Sequence, residues 1–250
     1  MAPPRTFTRL SSPGVFSNVH LGRAFEIRSL ELLQAQFSMS LTWVGGAARL
    51  GRTRTAAYRS FKRCGWWLPD LEGMNPKGLE SESPDGIVRR RIRVLGQCKA
   101  EKRKLGPKYV REMEGVLARH HMHAEKTGVK EPTMGVFVSQ SPFTRSAILR
   151  AYSSSMSFFL LHLPPETQEE VDEANEADPE TEEHDGFMSH IGAAIWNPAL
   201  GASNGLLQGR IEVRWERSLK SGLRRPGLWF MNKKLQGFIP PRLELDIPLQ

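Results

Sequence analysis

The chain has 250 residues, 39% of them hydrophobic and 25% charged, enough to bury one substantial core or a core with a small appendage. Its formal net charge of +8 understates its basic character: 11 of the 27 acids lie between Glu166 and Asp185, where there is no Lys or Arg, so the remainder sets all 35 Lys and Arg against 16 acids, a charge of +19. That excess favours a polyanionic partner, most simply nucleic acid, with an anionic membrane surface as the other candidate; the two cysteines, Cys64 and Cys98, exclude a disulfide framework and a CxxC zinc site, and no apolar run approaches the roughly 18 residues needed to span a bilayer.

The first 25 residues hold Arg5, Arg9 and Arg23, several Ser and Thr, and no acid, which is the composition of an organellar import peptide, although Pro3, Pro4 and Pro13 interrupt an amphipathic helix there. Residues 1–20 are therefore expected to be a mitochondrial presequence. From Arg23 to Phe37 the residues Phe25, Ile27, Leu30, Leu32, Leu33 and Phe37 recur near helical spacing. "LTWVGG" (Leu41 to Gly46) reads as a short strand ending on a turn. The following stretch, to Asp70, has six Arg and Lys and neither period, so it receives no assignment; Leu71 to Ser83 is rich in Gly, Pro and Ser and reads as an exposed loop.

Arg89 to Lys99 alternates as a strand, with Ile92, Val94 and Cys98 on one side and Arg91, Arg93, Leu95, Gln97 and Lys99 on the other, the more polar one. Pro107 suits the first turn of a helix whose stripe is Val110, Met113, Val116 and Leu117. Thr133 to Gln140 reads as a buried strand, Phe143 to Ser153 as a helix, and Ser157 to Leu163 as another strand. This order implies an α/β fold over 21–163, in which helices pack on a central sheet. Residues 164–187 are expected to be an acidic disordered insert, and 188–250, with strand or short-helix character at Ile191 to Trp196, Ile211 to Trp215 and Leu228 to Leu235, a tail that packs back on the core.

Phosphodiester cleavage needs a metal held by carboxylate and carbonyl oxygens, with a cation to steady the attacking hydroxide or the charge developing on phosphorus. Mg²⁺ takes one or two carboxylates and keeps water and phosphate for the rest of its shell. The helix carboxylate Glu26, Asp85 ahead of the strand, and Gln97 with Lys99 at the strand end would supply those groups, Gln97 giving only a neutral oxygen. Lys102, Arg103, Lys104 and Lys108 follow the strand end, where they would bracket a phosphate backbone; a solvated charged loop is the plainer reading of the same residues.

The stretches "LGRAFEIRSLELL", "TWVGG", "VLGQCKAEKRKLGPKYVREMEG", "GVFVSQSPFTRSA" and "IWNPALGASNGL…VRW" resemble the fungal mitochondrial "required for respiratory growth" family over about Leu21 to Leu235. Members of that family carry a PD-(D/E)XK, restriction-endonuclease-like domain akin to the Mrr type. The resemblance implies a three-layer core with a central mixed sheet, and it matches Glu26 to the first-helix acid, Gln97 to a position usually Glu or Asp, and Lys99 to the catalytic lysine. In the family the glycine pair opens a GGxxDxGxD-like motif whose second Asp is taken as a metal ligand; here "GGAARLGRT" puts Arg49 and Thr53 at the two Asp positions. That departure reads either as decay of the site or as an altered reading frame or exon boundary, with Asp85 a candidate replacement. The expectation is a mitochondrial protein that binds nucleic acid through a nuclease fold, with hydrolysis impaired or absent; a non-enzymatic scaffold and a membrane-associated assembly factor are the alternatives. The sequence leaves the oligomeric state open.

Other motifs read more simply. His120, His121 and His123 lie near the end of a helix and are expected to answer its negative pole rather than to bind zinc. Trp66 and Trp67 are expected to pack rather than to stack on bases, Cys98 to lie in the core, and Gly45, Gly46 and Gly51 to be turn glycines, since no GK[ST] follows.

Overall fold

The computed structural model describes residues 18–37, 39–42, 60–69, 80–82, 88–128, 131–165, 190–217 and 224–235. Helix α1 (Asn18–Phe37) is followed by strands β1 (Met39–Thr42), β2 (Ser60–Pro69), β3 (Glu80–Glu82) and β4 (Val88–Lys99). Helix α2 (Pro107–Thr127) leads to β5 (Thr133–Ser139) and helix α3 (Arg145–Tyr152) to β6 (Phe158–His162). Then come β7 (Ala193–Trp196), the one-turn helix α4 (Pro198–Gly201), β8 (Ile211–Arg217), β9 (Arg224–Phe230) and β10 (Lys233–Lys234).

Among the described residues, β1, β2, β4, β5, β6 and β7 lie side by side in chain order in one mixed sheet, with β3 paired to the start of β4. β4, β5 and β6 run parallel and the other pairs antiparallel. Parallel neighbours need a crossover, and α2 and α3 provide the two that are required here. A second sheet holds β10, β9 and β8 in that order.

Strand alternation sorts the core into two layers. Leu95, Phe137, Phe158 and Leu160 point to one face, under Val110, Met113 and Leu117 of α2 and Ala147 and Ala151 of α3. Ile92, Val94, Met134, Val136, Val138, Phe159 and Leu161 point to the other, where Phe25, Leu32, Leu33 and Phe37 of α1 meet Leu200, Leu207, Ile211, Leu228 and Leu235 from the C-terminal part. The result is a mixed α/β sandwich, with α2 and α3 on one side of the sheet and α1 with the small sheet on the other.

Local chemistry explains the elements. Helix α2 starts on Pro107, whose missing N–H costs nothing there, and ends on Gly128 at φ 71°, the left-handed cap that glycine tolerates. The Thr144 side chain caps α3 by accepting from the Ala147 N–H. All seven residues of β5 are buried, as expected of a parallel strand covered on both faces. At Gly135 a Cβ would lie 3.0 Å from the Phe158 ring and 3.1 Å from Leu117, so any larger residue would force these side chains to shift where α2 and β6 approach β5.

Several expectations need correction. Helix α1 starts at Asn18, five residues before the expected Arg23, and strand β1 (Met39–Thr42) starts two residues before the expected Leu41, while residues 43–46 lie outside the described residues. The unassigned stretch contains β2, a central strand between β1 and β4. Its residues 65–69 are all buried, so polar alternation is lost, and a bulge between Phe61 and Cys64 shifts its phase. The expected loop 71–83 includes β3, which brings Glu80 opposite Arg90. The expected acidic insert falls almost wholly on 166–189, outside the described residues.

A candidate nucleic-acid interface at the end of β4

The C-terminal ends of β4 and β5 lie together, in register from Arg93 with Thr133 to Lys99 with Ser139. Gln97 and Lys99 share the face that carries Leu95, beneath α2. The face expected to be the more polar one is buried: Gln97 is 5% exposed and Lys99 9%. The Lys99 Nζ lies 5.1 Å from the centre of the Tyr109 ring, within cation–π reach. Tyr109 meets Phe137 edge to face at 6.5 Å, and its hydroxyl donates to the Glu101 carboxylate at 2.7 and 2.8 Å from the two oxygens.

The loop that leaves β4 is pinned to the loop that leaves β5. The Gln140 N–H donates to the Lys99 carbonyl at 3.0 Å, and the Ser141 hydroxyl donates to the Glu101 carbonyl. The Leu105 N–H donates to the Pro142 carbonyl at 3.1 Å, while the Leu105 carbonyl accepts from the Thr144 N–H at 2.9 Å and its hydroxyl at 3.1 Å. Lys102, Arg103 and Lys104 lie between these fixed points, all exposed, with Lys108 exposed on the first turn of α2. Lys108 approaches Glu112 only at 3.9 Å, and with 78% of its side chain exposed the pair contributes little. Neither α2 nor α3 has an acid in its first turn, so the positive ends of both helices reinforce the basic loop. The carboxyl ends of parallel strands are where open α/β sheets bind ligands.

Glu26 is half-buried on α1, which packs on the opposite face of the sheet from Gln97 and Lys99. Asp85, Arg49 and Thr53 lie outside the described residues. Among the described residues no three His, Cys, Asp or Glu side chains gather as a metal-binding group. Among the described residues, Gln97 shares the strand face of Lys99 and offers a neutral amide oxygen, and the Glu101 carboxylate accepts from Tyr109, a weaker set for Mg²⁺ than paired free carboxylates. Glu101 and Tyr109 were not singled out from the sequence. The parity of Glu101 with Lys99 offered a faint signal, but the Tyr109 contact depends on how α2 crosses back over the sheet.

His120 differs from expectation. His120 Nε2 lies 3.0 Å from the Arg93 guanidinium, and Arg93 Nε pairs with Glu131 at 2.6 Å. Burial, then the Arg93 charge, push the His120 imidazole below its usual range, so it does not serve as a cation for the helix end; Lys126 occupies the last turn. Trp66 is fully buried and stacks on Phe159 at 6.5 Å, Trp67 is buried as well, and Cys98 packs against the core.

The site and fold thus define a mixed α/β sandwich with a basic strand end. The family model described as "Required for respiratory growth protein 7" matches residues 72–191, a little under half of the chain, running from ahead of β3 past β6 and including the whole of this strand end. That match supports the respiratory-growth family and a role in respiratory growth. No curated protein and no solved structure matches the chain. No described helix is long and apolar enough to cross a membrane.

Proposed function

We propose that the chain is a mitochondrial member of the respiratory-growth family whose restriction-endonuclease-like, PD-(D/E)XK domain binds nucleic acid at the end of β4 and has lost hydrolysis. The observation that carries this is the basic loop Lys102, Arg103 and Lys104, pinned by Ser141 and Thr144 beside Lys99 and exposed to a phosphate backbone. Helices on both faces of a central mixed sheet, and the Gln97 and Lys99 pair on one strand face, support the nuclease-like reading. Loss of chemistry rests on the neutral Gln97 where a carboxylate is usual, and on Arg49 and Thr53 at the family's two Asp positions. No metal-dependent step is assigned, and the protein's part is to hold the backbone. Kept this way, the fold serves as a scaffold for mitochondrial nucleic-acid or expression machinery.

The test is purified full-length protein with labelled DNA and RNA across a salt series, and with plasmid in Mg²⁺ or Mn²⁺. Salt-sensitive binding without cleavage is the expected result. Cleavage abolished by Lys99→Ala would replace this reading with an active nuclease. Preference for anionic vesicles over both nucleic acids at equal salt would move it to a membrane-associated factor.

A further inference from the structure

Strand β7 is an edge: it pairs with β6, and no described strand lies against its other side. The Asn197 N–H donates to the Phe158 carbonyl at 3.1 Å, which fixes the phase of the ladder. Counting back by twos along an antiparallel pair, Ile195 and Ala193 bond toward β6, and the N–H and C=O groups of Ala194 and Trp196 point outward. The strand reads Ala-Ala-Ile-Trp, with none of the charges or prolines that usually keep an edge from pairing.

Two partly exposed aromatic rings flank this edge: Tyr152, 47% exposed at the end of α3, and Trp215, 43% exposed on β8. Since α3 packs on one face of the large sheet and Ile211 and Val213 of β8 pack on the other, the two rings are carried by elements on opposite faces of the sheet. An opening of about 460 Å³ is lined by Tyr152, Ile195, Trp196 and Trp215, and a second of about 640 Å³, sharing Ala194, Ile195 and Trp215 with it, extends to Arg224.

Among the described residues the charge at that end is unbalanced. Arg217 and Arg224 are directly opposite each other in the β8–β9 ladder, an unfavourable pair of like charges, and both are exposed. The carboxylates on the same strand are taken, Glu212 by Arg214 at 2.8 Å and Glu216 by Lys234.

We propose that the free edge of β7 receives an extended acidic peptide from a partner protein as an added strand. Its backbone bonds Ala194 and Trp196, alternate apolar side chains cover Tyr152 and Trp215, and its carboxylates meet Arg217 and Arg224. A single nucleic-acid strand could stack on Trp215 and reach the arginines, but it would leave the β7 backbone groups unpaired. A second copy of the chain would bring no acid on its own β7. The inference is independent of the nucleic-acid reading, because β7 is separated from β4 by β5 and β6.

The test uses the full chain and two fluorescein-labelled heptapeptides, Glu-Glu-Val-Thr-Val-Thr-Val and its reverse, read by anisotropy. One of them is expected to bind and to lose at least tenfold in affinity when alternate amides on its bonding edge are N-methylated. Ala194→Pro removes an outward N–H and leaves the β6 ladder in place, and it should produce the same loss. The double change Arg217→Glu with Arg224→Glu, confined to exposed side chains, should do so as well and carries the test if the proline variant fails to fold. The proposal is overturned if neither peptide binds or if N-methylation leaves binding intact. It is equally overturned if heptauridylate displaces the peptide and binds more tightly, or if the wild type is a dimer that Ala194→Pro splits into monomers.

Discussion

Lys99 is nine-tenths buried, with its ammonium 5.1 Å from the centre of the Tyr109 ring, and the Tyr109 hydroxyl in turn donates to Glu101. Tyr109→Phe keeps the ring beside Lys99 and removes the hydroxyl from the Glu101 carboxylate. A charge-assisted hydrogen bond of this kind contributes about 1–3 kcal/mol, so the urea midpoint should fall by a corresponding amount with an unchanged slope. A drop too small to measure would mean that Glu101 is equally well solvated without Tyr109. His120 gives a second residue-scale prediction, one that depends on pH. Burial first, then Arg93 and His121, lower its proton affinity against the opposing pull of Glu131, and His123 adds the smallest lowering effect. The folded chain therefore binds fewer protons there than the unfolded chain, whose imidazole titrates near about 6.5. Stability from this group is present above that pH and is lost as the pH falls from there through the lower folded value. The fall in Tm between pH 7.5 and 5.5 should shrink in His120→Gln, which retains an acceptor for Arg93. His162, also lowered by burial, will leave part of the fall in place.

Elements were legible where one rule acted alone. The period of two in Arg89 to Lys99 placed Ile92 and Val94 in one layer and Leu95, Gln97 and Lys99 in the other, as the packing has it. The Pro107 start and the Val110, Met113 and Leu117 stripe marked α2. Strand β2 was not legible, because a strand paired on both edges and covered on both faces needs no alternation, and its bulge breaks what remains. The candidate site divides in the same way. The shared face of Gln97 and Lys99 follows from backbone geometry, whereas their burial under Tyr109 follows from a helix crossing that no local period records. Asn197 is the clearest missed element joint. Buried at 2% exposure, it caps α4 by accepting from the Leu200 N–H at 3.1 Å and also accepts from the Phe158 N–H at 2.9 Å. Its amide donates to the carbonyls of Ala151 at 2.9 Å and Met156 at 2.8 Å, so one side chain joins the end of α3, the start of β6 and α4. Asn197→Ala leaves several of these groups buried without partners, and a loss of about 2–4 kcal/mol in unfolding free energy is expected. Asn197→Asp should be no milder at neutral pH, since a carboxylate would then face the Ala151 and Met156 carbonyls.

At the scale of the whole molecule, the separation of charge is the property with the widest consequence. Outside Glu166 to Asp185 the chain carries +19, and the parallel strands deliver part of that charge to one edge, where the helix ends of α2 and α3 add to it. If that edge holds a phosphate backbone, binding releases counterions, and the logarithm of affinity falls linearly with the logarithm of salt concentration, by about 0.7–0.9 per phosphate neutralised. Replacing Lys102, Arg103 and Lys104 together by Gln should therefore lower the magnitude of that slope by about 2–3 while weakening binding to all sequences alike. Because the three side chains are exposed and the loop is held by Ser141 and Thr144 through backbone carbonyls, the stability of the folded chain should change by no more than about 0.5 kcal/mol per substitution. The combination of a smaller slope and preserved stability locates the interface at this loop. An unchanged slope with the affinity intact places the phosphate contacts on another basic surface, and the end of β4 is then a structural strand end.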